Sequence, residues 1–364
     1  MKICLISSQF FSWGKYGGFG SMTRKLSTRL ASEGHDVYVT TLKRGDQKKN
    51  EIIDGVKVIG ISGLDIFSTK IYKDIDADLY HSQEPSLGSY LAMKAQPDKK
   101  HVITCRDPRD LHDFFIEFQD GSWKKRLKIP FVYFYEGGPF IKYAVRNADV
   151  VGVPANFLME KTKKLYGLEE KPILLPNLLV IPETIPEKSA APVVCFVGRF
   201  DKRKRPELFL ELASKFRDVK FVMVGKSEEI DWDIHLRNKY SNQKNITMVG
   251  FINRFESNKL YEIYSESWIL INTSSREGLP LTFVEAAGYG CAVLSSVNPD
   301  NFASEFGFFC ENDDFEAGLT YLLKNENWRS KGRKAYEYVK NVYDEEVAIK
   351  KHLDVYKSLL GNMR

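Results

Sequence analysis

Short apolar segments alternate with longer amphipathic segments along most of this 364-residue chain. The short segments are rich in β-branched residues and predict strands, whereas the longer ones repeat apolar positions about every three to four residues and predict helices. Strands and helices that alternate in sequence are typical of a parallel sheet covered by helices on both faces. The alternation therefore predicts an α/β fold.

A cluster of prolines interrupts the alternation and divides the predicted strands into two series. The first series includes "KICLIS", "DVYVTTL", "ADLYHSQ", "HVITCRD" and "ADVVGVP", and the second includes "PVVCFVGRF", "VKFVMVG", "NITMVGF", "SWILINTS" and "CAVLSSV". The prolines between them are Pro172, Pro176, Pro182, Pro186 and Pro192. Because proline fixes φ and lacks an N–H donor, this density predicts an extended linker.

Two doubly wound α/β domains in tandem follow from this division. We predict an N-terminal domain over residues 1–175, a proline-rich linker over 176–192, a C-terminal domain over 193–345, and a C-terminal helix over 346–364 that could pack back toward the N-terminal domain. Ligands of such open sheets bind beyond the carboxyl ends of the strands. A cleft between the strand ends of the two domains is therefore the expected ligand site.

The composition argues against several other classes of protein. No apolar run approaches the roughly 18 residues of a membrane-spanning helix, and "MKICLISSQFF" enters a strand without a signal-peptide pattern, so we expect a cytoplasmic location. The five cysteines have no metal-like spacing. The net charge of +5 lies within the first 185 residues and is too small to predict a nucleic-acid partner.

A glycine-rich stretch, "KYGGFGSMTRKL", lies between the first predicted strand and a helical pattern. A dinucleotide-binding motif begins similarly, but its first glycine ends the strand directly, whereas "SQFFSWGKY" intervenes here. The second strand also lacks the acidic residue that would bind a ribose, so a redox function is not predicted. Gly17 and Gly18 can instead present backbone N–H groups to a phosphate, and a flexible connection is the alternative.

Two glutamates, Glu277 and Glu285, flank a predicted helix start in "SSREGLPLTFVEAAGYGCAVLSS". Pro280 stands where the first helical turn would begin. Glu277 therefore lies in the loop ahead of the helix, Glu285 lies about a turn and a half into it, and the free N–H groups near Leu281 and Thr282 lie between them. Carboxylates accept hydrogen bonds from sugar hydroxyls and helix N–H groups bind phosphate, so one helix end could hold a nucleotide sugar.

In these features the chain resembles the retaining GT-B glycosyltransferases of family 4, also called group 1 glycosyltransferases. The resemblance covers nearly the whole chain. It rests on the segment from Glu277 to Glu285, on "FVGRFDKRKRPELFLELA", on "GGFGSMTRKLSTRLASEGHDVYVTT", and on "ILLPN" before the linker. It implies two Rossmann-like domains facing a central cleft, with acceptor binding in the first domain and nucleotide-sugar binding in the second.

The resemblance also implies roles for individual residues. The catalytic set is Glu277, Arg199, Lys204, His81 and Asp107. The donor-binding set is Gly17, Gly18, Arg199, Lys204, Gly225, Phe251, Glu277, Leu281, Thr282 and Glu285. Arg199 and Lys204 would bind the donor diphosphate, and the alternative for them is an ordinary solvated basic run.

One position in the first domain departs from the family pattern, and another matches it. "HVITCRDPRD" offers Arg106 and Asp107 where the family often has His-Asp, and that histidine is usually credited with contacting the transferred sugar. Arg106 is therefore assigned to the acceptor side, although Arg106 and Asp107 could instead form surface ion pairs with each other or with Arg109 and Asp110. His81 matches a family position but could also be a core histidine.

The implied reaction transfers a hexose from a UDP or GDP sugar to a hydroxyl acceptor, with retention at the anomeric carbon. The acceptor would be a glycan or a lipid-linked glycan, and neither a metal ion nor another cofactor is expected. Two alternatives are a sugar-nucleotide epimerase of the same fold and a catalytically inactive sugar-nucleotide-binding subunit. The inactive subunit would lose the glutamate pair, which this chain keeps.

The segment "FFIEFQDGSWKKRLKIPFVYFYEGGPFIKY" combines aromatic residues with a basic cluster. Trp123, Lys124, Lys125 and Arg126 are assigned to acceptor or membrane contact. A helix with rings on one side and cations beside them can rest on an anionic membrane surface. The first domain could therefore associate with the inner membrane face, and the alternative is a core helix with a solvated basic edge.

Overall fold

The computed structural model describes residues 1–13, 17–121 and 123–361, except for the side chains at 120 and 123–125. The chain forms two compact units. Unit 1 consists of Met1–Asp110, Lys128–Leu178 and the residues from Glu345 onward, and unit 2 consists of Leu111–Leu127 and Leu179–Asp344. Residues 111–127 thus belong to unit 2, although they lie within the N-terminal domain predicted over residues 1–175.

Unit 1 is built on an eight-stranded sheet. Its strands are β1 (Lys2–Ile6), β2 (Asp36–Leu42), β3 (Asn50–Ile53), β4 (Val56–Ile61), β5 (Leu79–Ser82), β6 (Lys100–Thr104), β7 (Val150–Val153) and β8 (Ile173–Leu174). Their order is β3-β4-β2-β1-β5-β6-β7-β8, and all neighbours are parallel except β3 and β4. Ile3 and Leu5 of β1 pack on one face, and Cys4 and Ile6 pack on the other, so the sheet is buried on both faces.

The strands β3 and β4 form a hairpin that is absent from the predicted series of strands. Ile53 pairs with Val56, so only Asp54 and Gly55 form the turn. Both turn residues have positive φ, 51° and 79°, as a type I′ turn requires. The dipeptide Asp-Gly between two apolar runs is the sequence signal of such a turn.

The helices from the first half of the chain cover the sheet of unit 1 or contribute to unit 2. They are α1 (Gly18–Ser32), α2 (Lys70–Ile75), α3 (Leu87–Ala95), α4 (Leu111–Asp120), α5 (Trp123–Glu136), α6 (Pro139–Arg146) and α7 (Phe157–Tyr166). Leu26 and Leu30 of α1 pack on one face of the sheet, and Ala92 of α3 packs on the other. The helix α4 and the beginning of α5 belong to unit 2.

Unit 2 is built on a six-stranded, wholly parallel sheet. Its strands are β9 (Val193–Val197), β10 (Lys220–Val224), β11 (Ile246–Gly250), β12 (Ile269–Asn272), β13 (Ala292–Ser295) and β14 (Gly307–Phe309), in the order β11-β10-β9-β12-β13-β14. Val193 and Cys195 of β9 pack in one core cluster, whereas Val194 and Phe196 pack in the other. The apolar runs of these strands are therefore buried on both sides, as in parallel sheets generally.

The helices that follow β9 are α8 (Pro206–Lys215), α9 (Ile230–Lys239), α10 (Lys259–Glu266), α11 (Leu281–Gly288), α12 (Phe302–Phe306), α13 (Phe315–Leu323), α14 (Asn327–Val342) and α15 (Glu345–Gly361). The last of these, α15, belongs to unit 1. Its residues Ala348, Ile349 and Tyr356 are buried in the same cluster as Leu5 and Leu26. In the part of the chain that the structure describes, we find no helix that is both long and apolar enough to cross a bilayer.

Candidate functional site

The candidate site in unit 2 lies at the carboxyl ends of two neighbouring strands, β9 and β12. The loop after β9 contains Arg199 and a single 3-10 turn, Lys202–Lys204. The loop after β12 leads through Glu277 to the start of α11. Since the carboxyl ends of parallel strands meet at one edge of a sheet, the fold brings the two predicted motifs together.

Hydrogen bonds to backbone carbonyl oxygens fix the two loops against each other. The hydroxyl of Thr273 donates to the carbonyl oxygens of Lys204 at 2.6 Å and of Arg205 at 2.9 Å. The N–H of Ser275 donates to the carbonyl oxygen of Arg203 at 3.0 Å. Asp201 accepts a hydrogen bond from the N–H of Lys204 and so caps the 3-10 turn. The backbones of these two loops are therefore held at fixed positions relative to each other.

Lys204 and Glu277 form an ion pair within this arrangement. The two side chains are 18% and 12% exposed, so the pair is largely screened from water. Burial would raise the pKa of the Glu277 carboxyl, but the positive charges of Lys204 and Arg203 outweigh burial and lower that pKa. Glu277 is therefore an ionised hydrogen-bond acceptor at neutral pH.

Arg199 lies on the same loop but is far more accessible. Its guanidinium is 48% exposed, and its Nη2 lies 3.2 Å from the Asp201 carboxylate. A second ion pair joins its Nη1 to Glu228 at 3.5 Å. Exposed pairs of this kind are weak, so Arg199 can exchange its carboxylate partners for another anion at small cost.

The helix α11 begins with backbone N–H groups that its own turns cannot satisfy. Pro280 precedes it as the N-cap residue and provides no side-chain hydrogen bond. Leu281 and Thr282 are the first two residues of the helix, and both are half-buried. Their N–H groups have no acceptor within the helix, and the helix dipole makes this end favourable for an anion.

Glu285 is buried in the same helix and pairs with an arginine that is not among the predicted site residues. Its carboxylate forms an ion pair with Arg254, and the two side chains are 2% and 13% exposed. The hydroxyl of Tyr264 lies 3.4 Å from the other carboxylate oxygen. Burial alone would lower the pKa of Arg254, but the charge and hydrogen bond of Glu285, together with the neighbouring tyrosines Tyr264 and Tyr261, raise it. Glu285 therefore compensates a buried cation.

Gly225 and Phe251 follow the strands β10 and β11. Gly225 has φ of 134°, and a Cβ atom built on it would lie 1.8 Å from the carbonyl oxygen of Gly198. Only glycine fits at this position, where the ends of β9 and β10 come close together. Phe251 is 39% exposed, and the amino group of Lys226 lies 5.5 Å from its ring centre.

Two carboxylates of α4 bind arginines of the candidate site, an arrangement that the sequence did not reveal. The Nε of Arg276 donates to Asp113 at 2.7 Å, and its Nη1 donates to Glu117 at 3.3 Å. Arg203 donates to the same oxygen of Glu117 at 3.2 Å. All these residues belong to unit 2. The cations beside Glu277 are thus held by a helix of the stretch 111–127, which residues 128–178 of unit 1 separate in sequence from the rest of unit 2.

Of the predicted residues in unit 1, the two glycines lie at the start of α1. Gly17 is the N-cap residue of α1 and Gly18 is its first residue, without a side-chain cap. Neither glycine has a positive φ, and the φ of Gly17 is −87°. The helix end that they open has unsatisfied N–H groups like those of α11.

His81 lies in the core of unit 1. Its side chain is fully buried at the end of β5. Its Nδ1 lies 2.6 Å from the hydroxyl of Tyr356, and its Nε2 lies 2.7 Å from that of Thr104. Burial, followed by the charges of His352 and Arg106, lowers its pKa well below the usual range. Proton transfer by this imidazole would require one of the two hydrogen bonds to break.

Arg106 is also buried, and its partners are amides rather than carboxylates. It is 7% exposed and donates to the side-chain oxygens of Gln83 and Asn177. Burial lowers its pKa to about 10. The alternative of a surface ion pair with Asp107 is therefore not what holds the guanidinium. Asp107 is half-buried next to it, and Arg109 pairs with Glu136.

The basic cluster of the predicted acceptor or membrane segment is described in part. The side chains of Trp123, Lys124 and Lys125 lie outside the described residues. Arg126 is exposed, donates to the carbonyl oxygen of Gln119 at 2.8 Å, and lies over the ring of Phe118.

Two family profiles match the sequence. The family described as "Glycosyltransferase Family 4" matches residues 16–178. The family described as "Glycosyl transferases group 1" matches residues 181–341, which include Arg199, Lys204, Glu277 and Glu285. Together the two profiles span most of the chain.

Individual relatives agree with the profiles. The O-antigen biosynthesis glycosyltransferase WbnH of Escherichia coli is 26% identical over 284 residues, which cover 74% of this chain and 75% of WbnH. Sucrose-phosphate synthase from Thermosynechococcus elongatus has a similar structure, with a TM-score of 0.75, 18% identity and 100% coverage of both chains. Anabaena HepE in complex with UDP and glucose has a TM-score of 0.72 and 14% identity, covering 98% of this chain and all of HepE. The two structural similarities show the fold.

Proposed function

The chain is a group 1 glycosyltransferase with the GT-B fold, and we propose that it transfers a hexose from a UDP or GDP sugar to a glycan or lipid-linked glycan, with retention at the anomeric carbon. The name of WbnH, an O-antigen biosynthesis enzyme, supports a glycan acceptor. The UDP and glucose bound to HepE support a nucleotide-sugar donor.

The main support within the chain is the ion pair of Lys204 and Glu277 just ahead of α11. A cation and free helix N–H groups suit a diphosphate, whereas an ionised carboxylate suits sugar hydroxyls. Both kinds of group lie on two loops, which hydrogen bonds from Thr273 and Ser275 to backbone carbonyl oxygens hold together. The site therefore has the chemistry to bind both halves of a nucleotide sugar.

The proposed mechanism uses this charge at the bond that breaks. When the anomeric carbon separates from the diphosphate oxygen, negative charge grows on the diphosphate. Arg199, Lys204 and the N–H groups of α11 would stabilise that charge, and one such fixed donor contributes about 3 to 4 kcal/mol in comparable sites. The acceptor hydroxyl attacks the anomeric carbon on the same face of the sugar ring from which the diphosphate departs. It gives its proton to the leaving phosphate. No protein nucleophile and no metal ion is required in this scheme.

A donor screen tests the proposed function. The protein is incubated with UDP and GDP sugars, with and without glycan acceptors, in the presence of EDTA. The proposal predicts transfer only when an acceptor is present, with little effect of EDTA. Epimerisation of the donor alone would identify an epimerase, and binding without turnover would identify an inactive subunit. Activity that EDTA abolishes and a divalent ion restores would contradict the metal-free mechanism.

Replacing Glu277 by glutamine tests its assignment to the reacting sugar. We expect turnover to fall at least about tenfold while the KM for the donor changes little, because a group that acts mainly in the transition state affects kcat. The matched control is Glu211→Gln, which changes an exposed glutamate of α8. Steady-state kinetics with saturating acceptor measure both constants. Wild-type turnover in the Glu277→Gln protein would exclude the assignment.

We also propose that the protein reaches its acceptor at an anionic membrane surface through α5. Phe131 and Phe134 are 76% and 73% exposed, and their spacing of three residues places them on one face of the helix. Arg126 and Lys128 are exposed on the same helix. Exposed rings beside cations fit the interfacial region of a bilayer, where each cation contributes about 1 kcal/mol.

Liposome sedimentation tests the membrane proposal. The wild type should pellet with anionic liposomes at low salt and less at high salt, because the cationic contribution is screened. The Lys124/Lys125/Arg126→Glu protein should stay in the supernatant. The control is Lys70/Lys73→Glu, which reverses two exposed charges on α2 and should pellet like the wild type. A wild type that stays in the supernatant at low salt would favour a soluble acceptor.

A further inference from the structure

Arg203 stands next to Lys204 in the 3-10 turn, but it has a different carboxylate partner. Its Nη1 donates to Oε1 of Glu117 at 3.2 Å, and the two side chains are 27% and 16% exposed. Lys204 instead pairs with Glu277. Two consecutive cations of the turn are thus each neutralised by a different glutamate.

The partner of Arg203 is itself shared. Oε1 of Glu117 also accepts from Arg276 at 3.3 Å. Arg276 is only 5% exposed and has a second carboxylate, Asp113, at 2.7 Å. Arg276 is therefore the fixed cation of this cluster, and Arg203 is the more exposed of the two. If Arg203 turned away, Glu117 would keep Arg276, so no buried carboxylate would be left unpaired.

Arg203 is also close to the predicted reacting region. The N–H of Ser275 holds the carbonyl oxygen of Arg203 at 3.0 Å, two residues before Glu277. Burial has the largest effect on the pKa of Glu277 and raises it. The charge of Lys204 and, to a smaller extent, the charge of Arg203 lower it. A rotation of the guanidinium about its flexible side chain, without a backbone change, can therefore bring it toward an anion bound beside Lys204.

We propose that Arg203 is a third diphosphate-binding cation, which Glu117 holds in the ligand-free protein and releases when a nucleoside diphosphate binds. This inference rests on the proposed function, because it assumes a diphosphate beside Lys204. A diphosphate offers several charged oxygens to the fork of a guanidinium, whereas the contact of Arg203 with Glu117 uses one carboxylate oxygen, which Arg276 shares. The phosphate therefore competes well for Arg203.

Isothermal titration with UDP and GDP, and with uridine and guanosine, tests the inference. With the diphosphate that binds more tightly, Arg203→Gln should weaken binding about tenfold or more, because it removes a charge-assisted contact. Binding of the nucleoside should stay within about twofold. Glu117→Gln should tighten diphosphate binding by about two- to fivefold, as expected for removal of a partly exposed competing pair. Lys202→Gln, in the same turn and exposed, is the matched control.

The direction in which Glu117→Gln changes diphosphate affinity distinguishes two roles of Glu117. It either holds Arg203 until a diphosphate binds or only supports the structure of the loop. If Glu117 only stabilises the loop, both variants should weaken diphosphate binding and lower the melting temperature, and this result would overturn the inference. If Lys204→Ala weakens diphosphate binding while Arg203→Gln does not, the inference fails and the proposed function stands. If neither replacement matters, the diphosphate does not bind at this turn, and the proposed donor site fails with the inference.

Discussion

Glycosyl transfer is expected to fall at least about a hundredfold when Arg199 and Lys204 are both replaced by alanine. The two residues provide fixed positive charge where the diphosphate leaves, and such charge stabilises the transition state more than the bound substrate. Lys204 is held at its position by Glu277 and by the hydrogen bonds of its own backbone. The measurement is kcat/KM for the donor that the screen identifies.

The control for this double variant is Lys202→Ala, which removes a neighbouring exposed charge from the same turn. Its transfer rate should stay within about threefold of the wild-type rate. An exposed charge that does not contact the diphosphate acts on it only at a distance, where salt screens the interaction. Arg199→Ala alone removes an exposed side chain and should leave the melting temperature unchanged. If the double variant transferred sugar at nearly the wild-type rate, the diphosphate would have to bind elsewhere.

The second large effect concerns stability. Glu285→Ala should lower the stability of unit 2 by about 3 to 5 kcal/mol, because it leaves Arg254 buried without its counter-charge. For a unit of this size, the thermal transition should shift by roughly 6 °C or more. The control is Glu262→Ala on α10, where the glutamate is exposed and the expected change is within about 0.5 kcal/mol. Differential scanning calorimetry measures both shifts.

A paired replacement separates folding from donor binding at the same residue. Arg254→Met together with Glu285→Leu removes both buried charges, so it should recover most of the stability that Glu285→Ala loses. If Glu285 also binds the ribose hydroxyls, donor binding should stay weak in this stable protein. Recovery of donor binding together with stability would assign Glu285 to the buried ion pair alone.

The fold could be predicted from the sequence because its signals are local. β2 coincides with the predicted segment "DVYVTTL", and α11 begins immediately after Pro280, the residue that marked its start. The predicted fold class and the family are confirmed. The proximity of Glu277 and Lys204 could be predicted from the sequence only through the family resemblance, because 73 residues separate them.

Other parts of the site leave no local signal. Arg276 and Asp113 are 163 residues apart, and a single charged residue on a surface-like helix gives no periodic pattern. Arg254 likewise looks like an ordinary loop residue until the structure places it against Glu285. The burial of His81 was an open alternative, because a histidine at the end of a strand can lie in a core or face a ligand. The Asp54-Gly55 hairpin, in contrast, had a signal that the alternation of strands and helices obscured.

The membership of α15 in unit 1 has a consequence for biosynthesis. A ribosome makes every residue of unit 2 before it makes α15. Until then, His81 lacks the hydroxyl of Tyr356, and the sheet face that carries Leu5 lacks the cover of Ile349. During translation, unit 2 can therefore complete its core while unit 1 still exposes apolar surface. A nascent chain of this protein would need protection at its earliest strands for longer than at its later ones.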